Sequence, residues 1–228
     1  MTLRGVHVNH LSAQAEALLR AARPALVKTL DHRPDWRRLR AECGIRFLLG
    51  RAWLDDQADF SPTPESAAER LFNTMRPVME QWRGVYDAWE SPWNERAQRF
   101  HEGLAWHGRA CRRFCELARA QGFKIAVGNF SVGNPEPDEL RVHFAPALEV
   151  ADYLSLHEYW LPGDWRVGDW AHRWKRLLDG RPPHLRRPVI ITECGIDGGL
   201  ESRPAQTAGW RAYGLTARQY VDQLDAYW

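Results

Sequence analysis

Seven short apolar, β-branched runs alternate with longer amphipathic stretches along this chain, and that alternation limits the folds open to it. The apolar runs fall at residues 3–8, 25–30, 45–50, 84–90, 123–129, 150–159 and 188–193. Helical patterns occupy 12–23, 35–43, 64–82, 97–121, 138–148, 169–179 and 216–228. Strict alternation of this kind predicts a parallel sheet wrapped by helices, because parallel neighbours need a crossover that a helix supplies. The runs read as continuously apolar, as strands covered on both faces must be. Ser12, and Thr63 with Pro64, are start signals for the first and third helices. Gly44 and Gly122 stand where helix C-terminal caps are expected.

Two arrangements of such a sheet compete. An open, doubly wound sheet would follow a strand with a Gly-rich phosphate loop, and the chain has none. Polar and aromatic residues recur instead at the strand C-terminal ends, where a barrel builds its active site. The expected fold is therefore α/β, a TIM (β/α)8-type barrel in one domain over residues 1–228, a length that suits one. The seventh helical pattern runs to Trp228 and no eighth strand follows it. The expectation is thus a C-terminally truncated barrel with two open edges, or one closed by another segment or subunit. Segments 55–64, 133–137 and 197–207 are expected as loops of the catalytic face.

Composition narrows the functional classes. The net charge of +2 implies neither a nucleic-acid nor an anionic-membrane partner. No apolar run approaches bilayer length and no signal pattern opens the chain, so a cytoplasmic location is expected. Cys111 and Cys115 lie one helical turn apart, a spacing that matches no common zinc motif. With Cys43 and Cys194 they read as packed free thiols in a reducing compartment. The unusual count is 12 tryptophans, whose rings suit both a core and a cleft for a flat-faced polar ligand.

The fourth run leads into Trp89-Glu90-Ser91-Pro92-Trp93-Asn94-Glu95, and the seventh reads Val189-Ile190-Ile191-Thr192-Glu193-Cys194-Gly195. Each places a glutamate at or just past a strand end, where a charge is costly to bury without a role or partner. Glycosidic hydrolysis requires two carboxyl groups across the bond, one protonated and one ionised. In a barrel the fourth and seventh strand ends face each other across the mouth.

These residues resemble a known group. Asn94-Glu95 after the fourth strand, with a glutamate ending the seventh, is similar to the large clan of retaining glycoside hydrolases that carry their two glutamates there. The resemblance spans essentially the whole chain. It extends to uncharacterised bacterial members at Trp89-Glu90, Gly128-Asn129-Phe130-Ser131, Leu156-His157-Glu158-Tyr159 and Ile191-Thr192-Glu193-Cys194-Gly195-Ile196-Asp197. It implies Glu95 as acid/base, Glu193 as nucleophile, and Asn94 on the sugar 2-hydroxyl. His157 or Tyr159 would hydrogen-bond the nucleophile. The implied substrate is a carbohydrate, and no metal or organic cofactor is required.

Further candidates each have a structural reading beside the functional one. His7 is expected to line the floor of the sugar pocket. Lys28, Asp31, Arg51 and Trp53 are either subsite residues or an ion-pair network in the barrel mouth. Asn129 either lines the pocket or braces the loop after the fifth strand. Trp160 and Trp165 are candidates for stacking on sugar, whereas Trp170 and Trp174 read as helix–sheet core. Glu90, inside its strand, reads as a buried partner of Arg51 or Lys28. By alternation, Glu158 and Cys194 point away from the site. Two alternatives stay open: a non-catalytic carbohydrate-binding barrel, and a metal-dependent hydrolase using His7 and His10. Neither a Gly-x-Ser-x-Gly elbow nor a P-loop occurs. Oligomeric state, sugar and linkage are not legible at this level.

Overall fold

The computed structural model describes residues 3–54, 63–95, 101–163, 171–196 and 209–227. The expected loops at 55–64 and 197–207, the starts of the fourth and sixth helical patterns, Trp165, Trp170 and Asp197 lie wholly or largely outside the described residues. The strands are β1 (Gly5–Val8), β2 (Leu26–Thr29), β3 (Phe47–Gly50), β4 (Ala88–Glu90), β5 (Ile125–Phe130), β6 (Tyr153–Trp160) and β7 (Val189–Ile196). The helices are α1 (Ala13–Ala22), α2 (Asp35–Cys43), α3 (Pro64–Gln81), α4 (His101–Ala120), α5 (Pro137–His143), α6 (Ala145–Leu148), α7 (Arg173–Leu178) and α8 (Ala217–Tyr227).

The caps legible in the sequence form as expected. The Ser12 hydroxyl accepts from Ala15 N–H, and Thr63 and Ser66 form a reciprocal capping box across Pro64. Gly44 closes α2 at φ 70°, a left-handed conformation that glycine adopts without penalty. One expectation is corrected: the helical pattern over 138–148 is two helices, α5 and α6. Pro146 lacks the N–H that would reach back to Val142, and its ring disfavours a continuous helix across Phe144 and Ala145.

All seven strands are parallel and lie in sequence order, each hydrogen-bonded to the next. A sheet in that order whose last strand meets its second by side chain must be rolled up. Lys28 on β2 and Glu193 on β7 are 2.7 Å apart. The fold is thus a TIM-type barrel lacking one strand among the described residues. No described helix is long and apolar enough to cross a membrane.

Two apolar layers hold the barrel. The larger lies between sheet and helices and includes Trp36, Leu48, Met75, Phe114 and Leu154. A smaller plug inside the barrel joins Leu49, Ala88, Ala126 and Ile190 with Leu26, Phe47 and Tyr153. Each fully buried aliphatic or aromatic side chain contributes about 1.5–3 kcal/mol by leaving water. Cys43, Cys111 and Cys115 are buried, and all four cysteines are free thiols.

Strand alternation sorts β6 cleanly. Tyr153, Ser155, His157 and Tyr159 contact groups inside the barrel. Glu158 and Trp160 face outward to α8, where Tyr227 donates to Glu158 and stacks on Trp160. The Glu158 carboxylate also accepts from the N–H groups of His172 and Trp174, which anchors the start of α7. Burial raises its pKa.

Candidate active site

Two irregularities in the sheet deliver the carboxylates. Leu156 pairs with Ile191 but His157 pairs with Glu193, so Thr192 is an extra residue in β7. This bulge lets Thr192 and Glu193 both point into the barrel, where strict alternation would send one of them out. The Thr192 hydroxyl is tied to Ser155 Oγ at 2.9 Å, and Ser155 Oγ donates to Glu90 at 3.0 Å. The second irregularity lies in β5, at Gly128–Phe130, where Asn129 sits at φ 45°. Its amide donates to the carbonyls of Ser91 and Trp93, at 2.9 Å each, and its own carbonyl accepts from Glu95 N–H at 2.9 Å. Asn129 thus clamps the loop after β4. Glu95 itself is held at φ 46°, a left-handed conformation costing about 1–2 kcal/mol for a non-glycine residue.

The two glutamates converge. Single ligand atoms of Glu95, His157 and Glu193 all lie within 4.8 Å of one another. His157 Nδ1 is 2.7 Å from Glu95 Oε1 and 3.6 Å from Glu193 Oε2. Glu193 Oε1 accepts from Lys28 Nζ at 2.7 Å and from Arg51 Nη1 at 3.4 Å, while Tyr159 donates to Oε2 at 2.7 Å. Burial alone would raise the Glu193 pKa. The charges of His157 and Lys28, with hydrogen bonds from Lys28 and Tyr159, overcome it and hold the group at about 2.

Beneath Glu193, Lys28 is paired a second time, with Glu90 at 3.0 Å. Both are shut off from solvent. Arg51 Nε stands 3.9 Å from Glu90 as well. The mouth therefore rests on a buried network of two carboxylates and two cations, as the paired reading of Glu90 implied. His7 Nδ1 lies 3.9 Å from Glu193 Oε1. Burial, followed by the charge of Lys28, lowers the His7 pKa to about 4, so the ring is neutral near pH 7.

Glu95, Glu193, His157, Tyr159, Lys28 and His7 thus come together. Asn94 is half-buried beside Glu95. Trp53 is exposed at the end of β3, with the Arg51 guanidinium 5.9 Å from its ring. Three expectations are corrected. Trp160 cannot stack on sugar: it is fully buried on the outer face of β6 between Tyr227 and Gln223. Lys28 does not line an open subsite, since it lies buried under Glu193. Asn129 is fully buried and braces the β4 loop rather than lining the cleft.

His7 and His10 do not form a common metal site, because His10 pairs with Asp31 at 3.2 Å on the surface. Among the described residues only Glu95, His157 and Glu193 are grouped closely enough to ligate an ion. Lys28 and Arg51 already supply positive charge to Glu193, which opposes a divalent cation there. The contributions of Ser155 and Thr192 were not foreseen. Their signal in the sequence is a hydroxyl residue inside an otherwise aliphatic run.

No known family's sequence pattern matches the chain, and no curated protein is similar to it by sequence. Solved structures do resemble it. A GH128 (subgroup II) endo-β-1,3-glucanase from Sorangium cellulosum superimposes with a TM-score of 0.57 at 15% identity, covering 99% of this chain and 82% of that one. A glycoside hydrolase family 17 β-1,3-glucanosyltransferase from Rhizomucor miehei gives a TM-score of 0.49 at 15% identity, covering 85% and 71%. The likeness to the GH128 structure, at 15% identity, establishes a shared barrel fold.

Proposed function

We propose that this chain is a glycoside hydrolase that cleaves O-glycosidic bonds of an oligo- or polysaccharide with retention of configuration. The observation that carries the reading is that one carboxylate oxygen of Glu95 and one of Glu193 lie within 4.8 Å of each other at the barrel mouth, so the two groups are near neighbours. Retaining enzymes place their carboxyl groups roughly 5–5.5 Å apart, whereas inverting ones leave room for a water between them. In the first step Glu193 attacks the anomeric carbon while Glu95 protonates the departing oxygen. In the second, Glu95 takes a proton from water, the water oxygen attacks the anomeric carbon, and Glu193 is released.

The surrounding residues fit these roles. Lys28, Arg51 and Tyr159 keep Glu193 ionised, as a nucleophile must be. Glu95, with 41% of its side chain exposed, is open to the leaving group and to water. His157 orients its carboxylate at 2.7 Å. Trp53 offers an exposed ring for a sugar face, and Asn94, next to Glu95 in the chain and half-buried, is assigned the hydroxyl next to the anomeric centre. The GH128 neighbour is an endo-β-1,3-glucanase, so β-1,3-glucan is the first substrate to screen.

The test is hydrolysis of a glycan panel with the product anomer followed by NMR. Turnover with retention is expected, and Glu193→Gln should reduce it on the order of 10³-fold or more. Binding of glycan without turnover would replace this reading by that of a carbohydrate-binding barrel.

A further inference from the structure

The turn between α7 and β7 holds a charge that the fold leaves unanswered. Arg181 is 2% exposed, and its Nε, Nη1 and Nη2 are all buried without a hydrogen-bond partner. A long basic side chain ordinarily buries its stem and keeps its charged head in water. Here the head is buried as well. The charges that reach it belong to Arg186 and Arg187, and both repel it. Burial first, and then these two cations, lower its pKa. Lys28, the buried cation under the mouth, is held between Glu90 and Glu193. Arg181 has no such carboxylate among the described residues. The acids of neighbouring elements are engaged elsewhere. Asp138 pairs with Arg141 at 2.6 Å, Glu149 pairs with Arg112 at 2.9 Å, and Asp152 accepts from Ile125 N–H at 2.9 Å.

A second observation marks the same turn. A cavity of about 370 Å³ adjoins it, lined by Leu178, Asp179, Gly180 and Arg186. Small-molecule sites span about 300–1,000 Å³. Arg186 is exposed, and its Nε donates to the Arg181 carbonyl at 3.0 Å. Gly180 bends the chain at φ 68°, and a Cβ added there would stand 3.7 Å from Arg141 Nη1. Three guanidinium groups therefore border one turn, and one of them is buried.

We propose that this turn binds a tetrahedral oxyanion, a phosphate or sulfate group that is either free or carried on a small molecule, with Arg181 as its buried partner. The planar fork of a guanidinium matches two oxygens of such a group at once. Arg186 supplies a second cation at the rim, and its exposed side chain is the one that moves to admit the anion. Several cations at one turn are balanced by a dianion better than by a single carboxylate. Asp179 on the cavity wall repels extended polyanions, so the occupant is one small anion and not a nucleic-acid backbone. Arg181 precedes β7, whereas Glu193 lies in its second half, so the site is at the end of the barrel opposite the mouth. It does not rest on the hydrolase reading.

The experiment follows thermal unfolding of the full chain in phosphate, sulfate, acetate and chloride at matched ionic strength, with phosphate affinity measured by calorimetry. Phosphate and sulfate are expected to raise the midpoint progressively with their concentration, as an anion that binds only the native state does. Acetate and chloride are not. Tighter binding of glycerol 3-phosphate than of inorganic phosphate would support a carried group, and equal binding the free ion. Arg181→Met keeps the packing of the stem and removes the charge. It should weaken phosphate binding at least about tenfold. Stability in chloride should stay unchanged or rise, because the charge removed has no partner in the protein. Arg186→Ala should weaken phosphate binding by a smaller factor at unchanged stability. The proposal is overturned if phosphate and sulfate act no differently from acetate and chloride. It is equally overturned if Arg181→Met keeps the full response to phosphate, which would put the anion elsewhere, such as beside Arg51 at the mouth. A third contrary result is loss of stability or of folding by Arg181→Met in chloride, as when a buried ion pair is broken.

Discussion

The wall from β2 to β6 and the flank formed by β7 and β1 belong to one sheet but are held in different ways. Every residue of β4 and β5 is buried, as expected of strands with neighbours on both edges and layers on both faces. β7 mixes buried with partly exposed residues and β1 buries only Val8, since each has a neighbour on one edge only. The two carboxylates divide between these regions. Glu95 hangs from the wall, on a loop clamped by Asn129. Glu193 lies on the open flank, and cations reaching from β2 and β3 fix it in place. The lesson is that a carboxylate on an edge strand can be positioned by ion pairs from across the barrel when backbone neighbours are lacking.

The sharpest way to break that arrangement is Lys28→Met. It strips the fully buried Glu90 of its closest cation and Glu193 of its strongest donor, so a loss of about 3–5 kcal/mol is expected in denaturant unfolding. The double variant Lys28→Met/Glu90→Gln should recover part of this, because no charge is left buried without a partner. Full additivity of the two losses would contradict the network.

The contrast in packing predicts a smaller difference. Leu48→Ala in the wall should cost about 2–5 kcal/mol, since its side chain is fully buried. Val6→Ala on the flank should cost no more than about 0.5 kcal/mol, as a partly exposed residue. Equal losses would mean that the flank is packed as tightly as the wall.

A third contrast is in pH dependence. Glu193 has its folded pKa depressed from 4.5 to about 2, so its contribution to stability is present above pH 4.5 and is lost as pH falls towards 2. Glu193→Gln should flatten the stability profile across that window, while at pH 7–8 it lowers stability by a constant amount and leaves the slope unchanged. A profile that keeps its slope would assign the acid sensitivity to other carboxylates.

The alternation of short apolar runs with helical patterns was enough to read the strand order and the barrel, because burial on both faces writes itself into composition. Glu193 was legible as a charge ending an aliphatic run. Its orientation was not, since the bulge at Thr192 depends on pairing with β6 rather than on local pattern. Trp160 was misassigned even though strand period settles it: if His157 and Tyr159 face inward, Trp160 faces out. The bracing role of Asn129 stayed open because it rests on contacts with Ser91 and Trp93, nearly forty residues earlier in the chain. The break between α5 and α6 is written at Pro146.

The most direct test is to trap the covalent intermediate. The protein would be incubated with an activated 2-deoxy-2-fluoro glycoside of a sugar it turns over, and its peptides mapped by mass spectrometry. Attachment of one glycosyl group to the peptide bearing Glu193, abolished by Glu193→Gln, is the predicted result. Turnover with inversion and no trapped adduct, or a label on Glu95, would contradict the assignment of Glu193 as nucleophile.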